Sequence, residues 1–131
     1  MTRSSRWITL AVTFALVIVA WFGFDFQGFN ATPVEFDQTQ WMLGRDQIKQ
    51  NNDPGCVLGG MALHLYKNSR LLKLSYQDVY TLLGSPDSAS DKAFLWELGQ
   101  CHFGGWKNSQ LRIMFDSQSR VKDVGFQESL L

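Results

Sequence analysis

Two cysteines and two histidines carry most of the capacity of this sequence for redox, metal or nucleophilic chemistry: Cys56, Cys101, His64 and His102. A redox-active pair usually places its cysteines two residues apart, and a structural zinc site needs four ligands at short, paired spacings. The two cysteines here are separated by 45 residues, and neither histidine completes a paired spacing with them. We therefore expect no metal site and no cofactor.

The remaining acid–base groups have structural explanations. His64 lies in an apolar stretch of a predicted helix, and His102 adjoins Cys101 in a predicted loop. The acidic side chains are explained by a helix cap, a turn, a loop and the outward side of a strand: Asp78, Asp87, Asp91 and Glu97. The glycine pairs 59–60 and 104–105 lack the companions of a phosphate-binding loop. The sequence therefore predicts no enzyme.

The first 24 residues have the pattern of a membrane anchor. Residues 8–24 contain no charged side chain, and they follow Arg3 and Arg6 and precede Asp25. This length is at the short end of what spans a hydrocarbon core, and the charge bias keeps the N-terminus in the cytoplasm. We expect a single-pass protein of the inner (cytoplasmic) membrane with its C-terminal domain in the periplasm or extracytoplasmic space.

A cleaved signal peptide is the alternative for this segment, because it too begins with basic residues and an apolar run. Cleavage requires small residues at the exit, whereas residues 21–24 here are Trp, Phe, Gly and Phe. The exit therefore favours a retained anchor.

The exported location allows the two cysteines to form a disulfide, since oxidising compartments permit such bonds. A Cys56–Cys101 bond would stabilise the domain by about 4 kcal/mol in the chain-entropy model. Two free thiols are the alternative that the sequence leaves open. The charge balance of 12 basic and 12 acidic residues gives no basic footprint, so nucleic acid is not an expected partner.

The chain divides into an anchor at 1–24, a linker at 25–33 and one domain at 34–131. Residues 34–50 fit either a strand or a short helix. An apolar side at 61–72 predicts a helix, and a second begins after the Ser75 cap and ends at Gly84, before Pro86. Alternation around 94–98, 111–116 and 121–126 predicts three strands. The expected fold class is α+β, with two short helices packed on a three-stranded antiparallel meander.

Several of these segments resemble a known family. The run from Gly59 to Asp87, the strand FLWELG and the hairpin LRIMFDSQSRVKDV resemble the SmpA/OmlA (BamE-like) family. Leu83-Gly84-Ser85-Pro86 matches the helix exit of that family, and Phe115-Asp116 matches its hairpin turn. The two-helix, three-strand unit also resembles the half-domain of β-lactamase inhibitor proteins.

The resemblance implies a protein-binding or scaffold module of the cell envelope, similar to outer-membrane assembly accessory proteins, whose partners are envelope or membrane proteins. Family members are typically lipoproteins attached through an N-terminal cysteine, which this sequence lacks after its apolar run, so inner-membrane attachment is expected instead. An inhibitor-like or sensor module that binds one soluble enzyme or small ligand is the alternative.

Exposed aromatic and apolar residues are the candidate binding surface. Trp106 stands beside a glycine pair at a predicted loop tip, with Phe103 close by, and Leu95 and Met114 are expected on the side of the sheet that faces away from the helices. Such patches often mark interaction surfaces. The alternative for Trp106 is that it folds back onto the sheet.

Overall fold

The computed structural model describes residues 29–90, 93–102 and 107–128 of the chain. The anchor at 1–24, most of the linker, and Phe103 and Trp106 lie outside the described residues. None of the helices in the described ranges has the length and apolar composition that a membrane span requires.

Three helices precede an antiparallel sheet in the described part of the chain, which confirms the α+β class. The helices are α1 (Gln38–Gln50), α2 (Gly59–Lys67) and α3 (Tyr76–Leu83), and the strands are β1 (Ser88–Ala89), β2 (Ala93–Gly99), β3 (Ser109–Phe115) and β4 (Val121–Glu128). The strand order is β1-β2-β3-β4, and every neighbouring pair is antiparallel.

Two elements extend the predicted outline. The segment 34–50, which fitted either a helix or a strand, contains helix α1. The helix begins after Asp37, and the carboxylate of Asp37 accepts the backbone N–H of Gln40 at 2.8 Å. The two-residue strand β1 pairs with β2 and makes the sheet four-stranded rather than three-stranded. Two residues are too few to produce an alternating pattern, so the sequence could not reveal this strand.

Helix α2 is shorter than its apolar pattern suggested. It ends at Lys67 instead of near residue 72, and Ser69 takes a left-handed conformation with φ 53°. Leu71 is nevertheless 1% exposed, because the chain beyond the helix turns back onto the core. The apolar residues beyond Lys67 therefore signal burial without helix.

Helix α3 confirms its predicted ends. The Ser75 hydroxyl accepts the backbone N–H of Asp78 at 3.1 Å, which satisfies one of the free donors of the first turn. Gly84 follows with φ 79°, a conformation that side chains with a Cβ rarely adopt.

The core lies between the helices and one face of the sheet. On β2 and β3 the inward residues alternate with outward ones, as predicted. The fully buried large side chains come from all three helices, the connecting segments and both central strands: Trp41, Leu58, Leu65, Leu71, Val79, Leu83, Trp96, Leu98, Leu111 and Ile113.

A buried cation joins α1 to the end of α3. Arg45, 7% exposed, donates to the carbonyl oxygens of Leu83 at 2.7 Å and Ser85 at 2.5 Å, and to the carboxylate of Asp87 at 3.1 Å. The indole N–H of Trp41 also donates to the Leu83 carbonyl, at 3.0 Å. These donors satisfy carbonyl groups that a helix C-terminus leaves without partners, and the cation complements the negative end of the helix dipole.

Replacing Arg45 with Met should destabilise the domain by about 3 kcal/mol, because it leaves the Ser85 carbonyl and one carboxylate oxygen of Asp87 without their donor. Urea unfolding followed by circular dichroism measures the change. Lys49→Met, on the same helix but exposed, is the matched control and should shift stability by less than about 0.5 kcal/mol. Equal stability of the two variants would contradict the structural role of Arg45.

Candidate functional site

The predicted Cys56–Cys101 disulfide is present. The two Cα atoms lie 4.6 Å apart, and the bond ties the segment between α1 and α2 to the end of β2. Helix α2 begins at Gly59, directly against the bond. Glycine is required at this position because a Cβ would collide with both sulfur atoms. Cys101 is buried while Cys56 is exposed. The two cysteines therefore form a disulfide that links these segments of the fold.

A serine and a histidine form a hydrogen-bonded pair beside this disulfide. The Ser109 hydroxyl lies 2.5 Å from Nδ1 of His102 and accepts the backbone N–H of Cys101 at 3.0 Å. The Ser109 hydroxyl therefore bridges the His102 ring and the backbone of Cys101. Ser109 has no exposed surface, so its oxygen is placed for a structural bond rather than for attack on a substrate. The sequence analysis missed Ser109, since its partner is seven residues away across a loop.

An aromatic ring packs against the same histidine. The ring of Phe29 lies edge-on to His102 at 5.7 Å between centroids and stacks on Phe126 at 4.3 Å. Burial, the largest influence, lowers the pKa of His102 from its usual 6.5, the carboxylate of Glu128 raises it, and Lys107 lowers it. The histidine predicted in a loop is thus part of the packing between the N-terminal segment and the sheet.

The second histidine has a similar role. Nδ1 of His64, on α2, accepts the backbone N–H of Phe36 at 3.4 Å. This bond holds the segment before α1 against α2, together with the bond from the Val34 N–H to the Gly60 carbonyl at 3.0 Å. His64 and His102 lie on different elements, and the described residues contain no group of His, Cys, Asp and Glu side chains arranged to hold a metal ion.

The outer face of the sheet carries the described part of the predicted patch. Leu95 and Met114 lie on the face opposite the buried residues of β2 and β3, on neighbouring strands, and both are half-buried. The two other residues expected in the patch lie outside the described residues. Arg112 on β3 pairs with Leu95 on β2 and with Gly125 on β4. Its guanidinium packs so closely over Gly125 that a Cβ at this glycine would approach it to 2.8 Å.

A row of polar side chains crosses the same face. Gln110 donates to the Glu97 carboxylate at 2.6 Å and accepts from Gln127 at 3.0 Å, so the three residues link β2, β3 and β4. Burial, chiefly, raises the pKa of Glu97 above its usual 4.5; the Gln110 bond lowers it, and the charge of Asp87 raises it.

A groove lies between the end of α2 and strand β4. Its volume is about 490 Å³. Its lining combines apolar side chains with two lysines and a carboxylate: Leu65, Tyr66, Lys67, Ser69, Leu71, Leu72, Lys122, Asp123 and Val124. Leu72 is 45% exposed here, beside the buried Leu71. Concave surfaces with an apolar floor and a few polar groups are typical binding sites.

Strand β4 also forms one edge of the sheet. Its first residue, Val121, exchanges backbone bonds with the link between α2 and α3, from Lys73 N–H at 3.1 Å and to the Leu74 carbonyl at 2.9 Å. Beyond Val121, no described segment other than β3 bonds to the backbone of β4. The sequence analysis did not identify this groove, because its walls come from segments about 50 residues apart.

Comparison with family models, with curated proteins and with solved structures found no match to this chain.

Stability should depend on pH through His102. Because its pKa is lowered in the folded state, the unfolded chain binds more protons, and stability is lost as the pH falls below about 6.5. Urea unfolding at pH 7.5 and pH 5.5 measures this loss. The variant His102→Gln has no titratable group at this position, so it should lose less stability on acidification. An equal loss in both proteins would contradict the prediction.

Glu97 should make the stability of the fold depend on pH in the direction opposite to His102. Its raised pKa means that the folded state binds more protons, so its favourable contribution exists at low pH and is lost as the pH rises above about 4.5. Glu97→Gln keeps an acceptor for Gln110 and removes the charge near Asp87. It should raise the urea midpoint at pH 7 but change it little at pH 4, whereas the exposed Glu35→Gln should change neither. A lower midpoint for Glu97→Gln at pH 7 would refute this.

Proposed function

We propose that this protein is a membrane-anchored, extracytoplasmic protein-binding or scaffold module of the cell envelope. The single observation that carries the proposal is the groove beside β4, where an apolar floor, a cationic rim and a sheet edge without a described partner occur together. The resemblance of residues 45–126 to the SmpA/OmlA family supports the same function. Envelope or membrane proteins are the proposed partners.

The proposed location follows from the sequence at 1–24: one span of the inner membrane, with the N-terminus in the cytoplasm and the domain outside it. The disulfide is compatible with this location, because such bonds persist in oxidising compartments. Anchoring would hold the domain near the membrane and would restrict its partners to proteins that reach that surface.

We propose a binding rather than a catalytic role. The described serine–histidine pair is buried: Ser109 has no exposed surface, and His102 is 9% exposed. Both polar partners of its hydroxyl belong to the packing around the disulfide. This arrangement supports a structural use of the residue types that would otherwise suggest hydrolysis.

The groove volume favours one alternative. A space of about 490 Å³ lies within the range of small-molecule sites, so an inhibitor-like or sensor module that binds a soluble enzyme or a small ligand is the second candidate.

Site-specific photo-crosslinking in native membranes tests the proposed function. A photoreactive amino acid placed at Leu72, in the groove, or at Met114, on the outer face, should capture an envelope protein. The same residue at the exposed Asp53, in the turn after α1, is the control and should capture none. Crosslinks to one soluble enzyme would favour the alternative, and no crosslink from either surface would contradict both.

A further inference from the structure

We infer that the groove accepts an extended, acidic segment of a partner protein, which adds to the sheet as a new strand beside β4. This inference rests on the proposed protein-binding function and specifies the chemistry of the partner. The occupant is a strand with acidic and apolar side chains in alternation, rather than a folded surface.

The edge of β4 supplies the backbone partners for such a strand. In an antiparallel edge strand, alternate residues direct their N–H and C=O groups away from the sheet. The link between α2 and α3 bonds to β4 only at Val121, so the edge over residues 122–128 has no described backbone partner on its outer side. Extended peptides bind such edges through main-chain hydrogen bonds.

The groove supplies side-chain recognition at the same place. Lys122, Asp123 and Val124 belong both to the groove and to the free edge, so a strand paired with them lies in the groove. Alternate side chains of an added strand point to the same side. Those directed toward α2 would meet the exposed Leu72 above the buried Leu71.

Charge selects an acidic segment. Five cations lie on the segments that border the groove: Lys67, Arg70, Lys73, Arg120 and Lys122. Lys73 and Arg120 are brought together by the backbone pairing of their segments, and Arg120 donates to the Lys73 carbonyl at 3.4 Å. None of the five forms an ion pair with a described residue.

The carboxylates on β4 and its hairpin have partners already. Asp123 pairs with Arg112 at 3.4 Å, and Glu128 pairs with Lys107 at 3.0 Å. Asp116 accepts the backbone N–H groups of the hairpin turn at 2.8 and 3.0 Å. The groove therefore presents a net positive rim, which favours an acidic partner and disfavours a basic one.

The test uses the full-length chain in detergent micelles and a labelled synthetic peptide in which Glu alternates with Val and Leu. Fluorescence anisotropy measures binding, and hydrogen exchange measures protection of the amides of residues 122–128. We expect binding together with slower exchange at alternate amides of β4. A peptide with Lys in place of each Glu should bind at least about tenfold more weakly.

Charge-reversal variants localise the site. Lys67→Glu combined with Lys122→Glu should weaken binding of the acidic peptide by about tenfold or more. Lys49→Glu reverses one lysine on the exposed surface of α1 and should alter affinity by less than about twofold. All three lysines are exposed, so circular dichroism should show that each variant folds normally.

Four outcomes would overturn the inference. Absence of peptide binding is the first, and binding without protection of the β4 amides is the second, since charge attraction alone would explain it. Sedimentation showing that a second copy occupies the β4 edge is the third. Binding of vesicles containing an anionic phospholipid, lost in the double charge reversal and with the β4 amides still unprotected, is the fourth. In each case, crosslinks from Met114 to an envelope protein would leave the proposed function intact.

Discussion

The fold depends on one buried cation. Arg45 reaches from α1 to the carbonyl end of α3 and to Asp87 in the link to the sheet, and Asp87 in turn accepts the backbone N–H of Glu97 on β2 at 2.8 Å. A helix of eight residues has little stability of its own, and its last carbonyls need donors. Arg45 supplies a donor to the Leu83 carbonyl and, through Asp87, links α1 and α3 to β2. The two buried tryptophans, Trp41 and Trp96, donate to the carbonyls of Leu83 and Gly84, so buried polar contacts concentrate where α3 ends.

The two ends of the sheet differ in how neighbouring segments bond to the strands. On the β2 side, the segment before α2 bonds to the strand through Leu58 N–H to the Leu98 carbonyl, and the disulfide ties the same segment to Cys101. On the β4 side, backbone pairing with a neighbouring segment stops after Val121 within the described residues. The edge beyond Val121 carries Lys122 and Asp123, which also line the groove. The free edge and the groove occur together, which is why we propose a binding role there.

Local sequence was sufficient wherever the interaction is local. The Ser75 cap bonds three residues along the chain, Gly84 takes the conformation that its lack of a Cβ permits, and the alternation on β2 and β3 matches their buried and exposed faces. The disulfide could be favoured but not decided from the sequence, because a separation of 45 residues says nothing about distance. Strand periodicity also sufficed to assign Leu95 and Met114 to the outer face of the sheet.

The sequence by itself therefore determined the α+β class, the ends of α3, the three longer strands and the candidate residues on the outer face. Tertiary structure decided the rest. The mixed composition of α1 fits a helix or a strand, and packing decides for the helix. Helix α2 ends at Lys67, although the apolar residues beyond it continue into the core without helical structure. The contacts of Arg45 join residues 38 to 42 apart, and the groove joins the end of α2 to β4 across about 50 residues or more. Periodicity and capping describe interactions within a few residues, whereas these features arise only when distant segments meet.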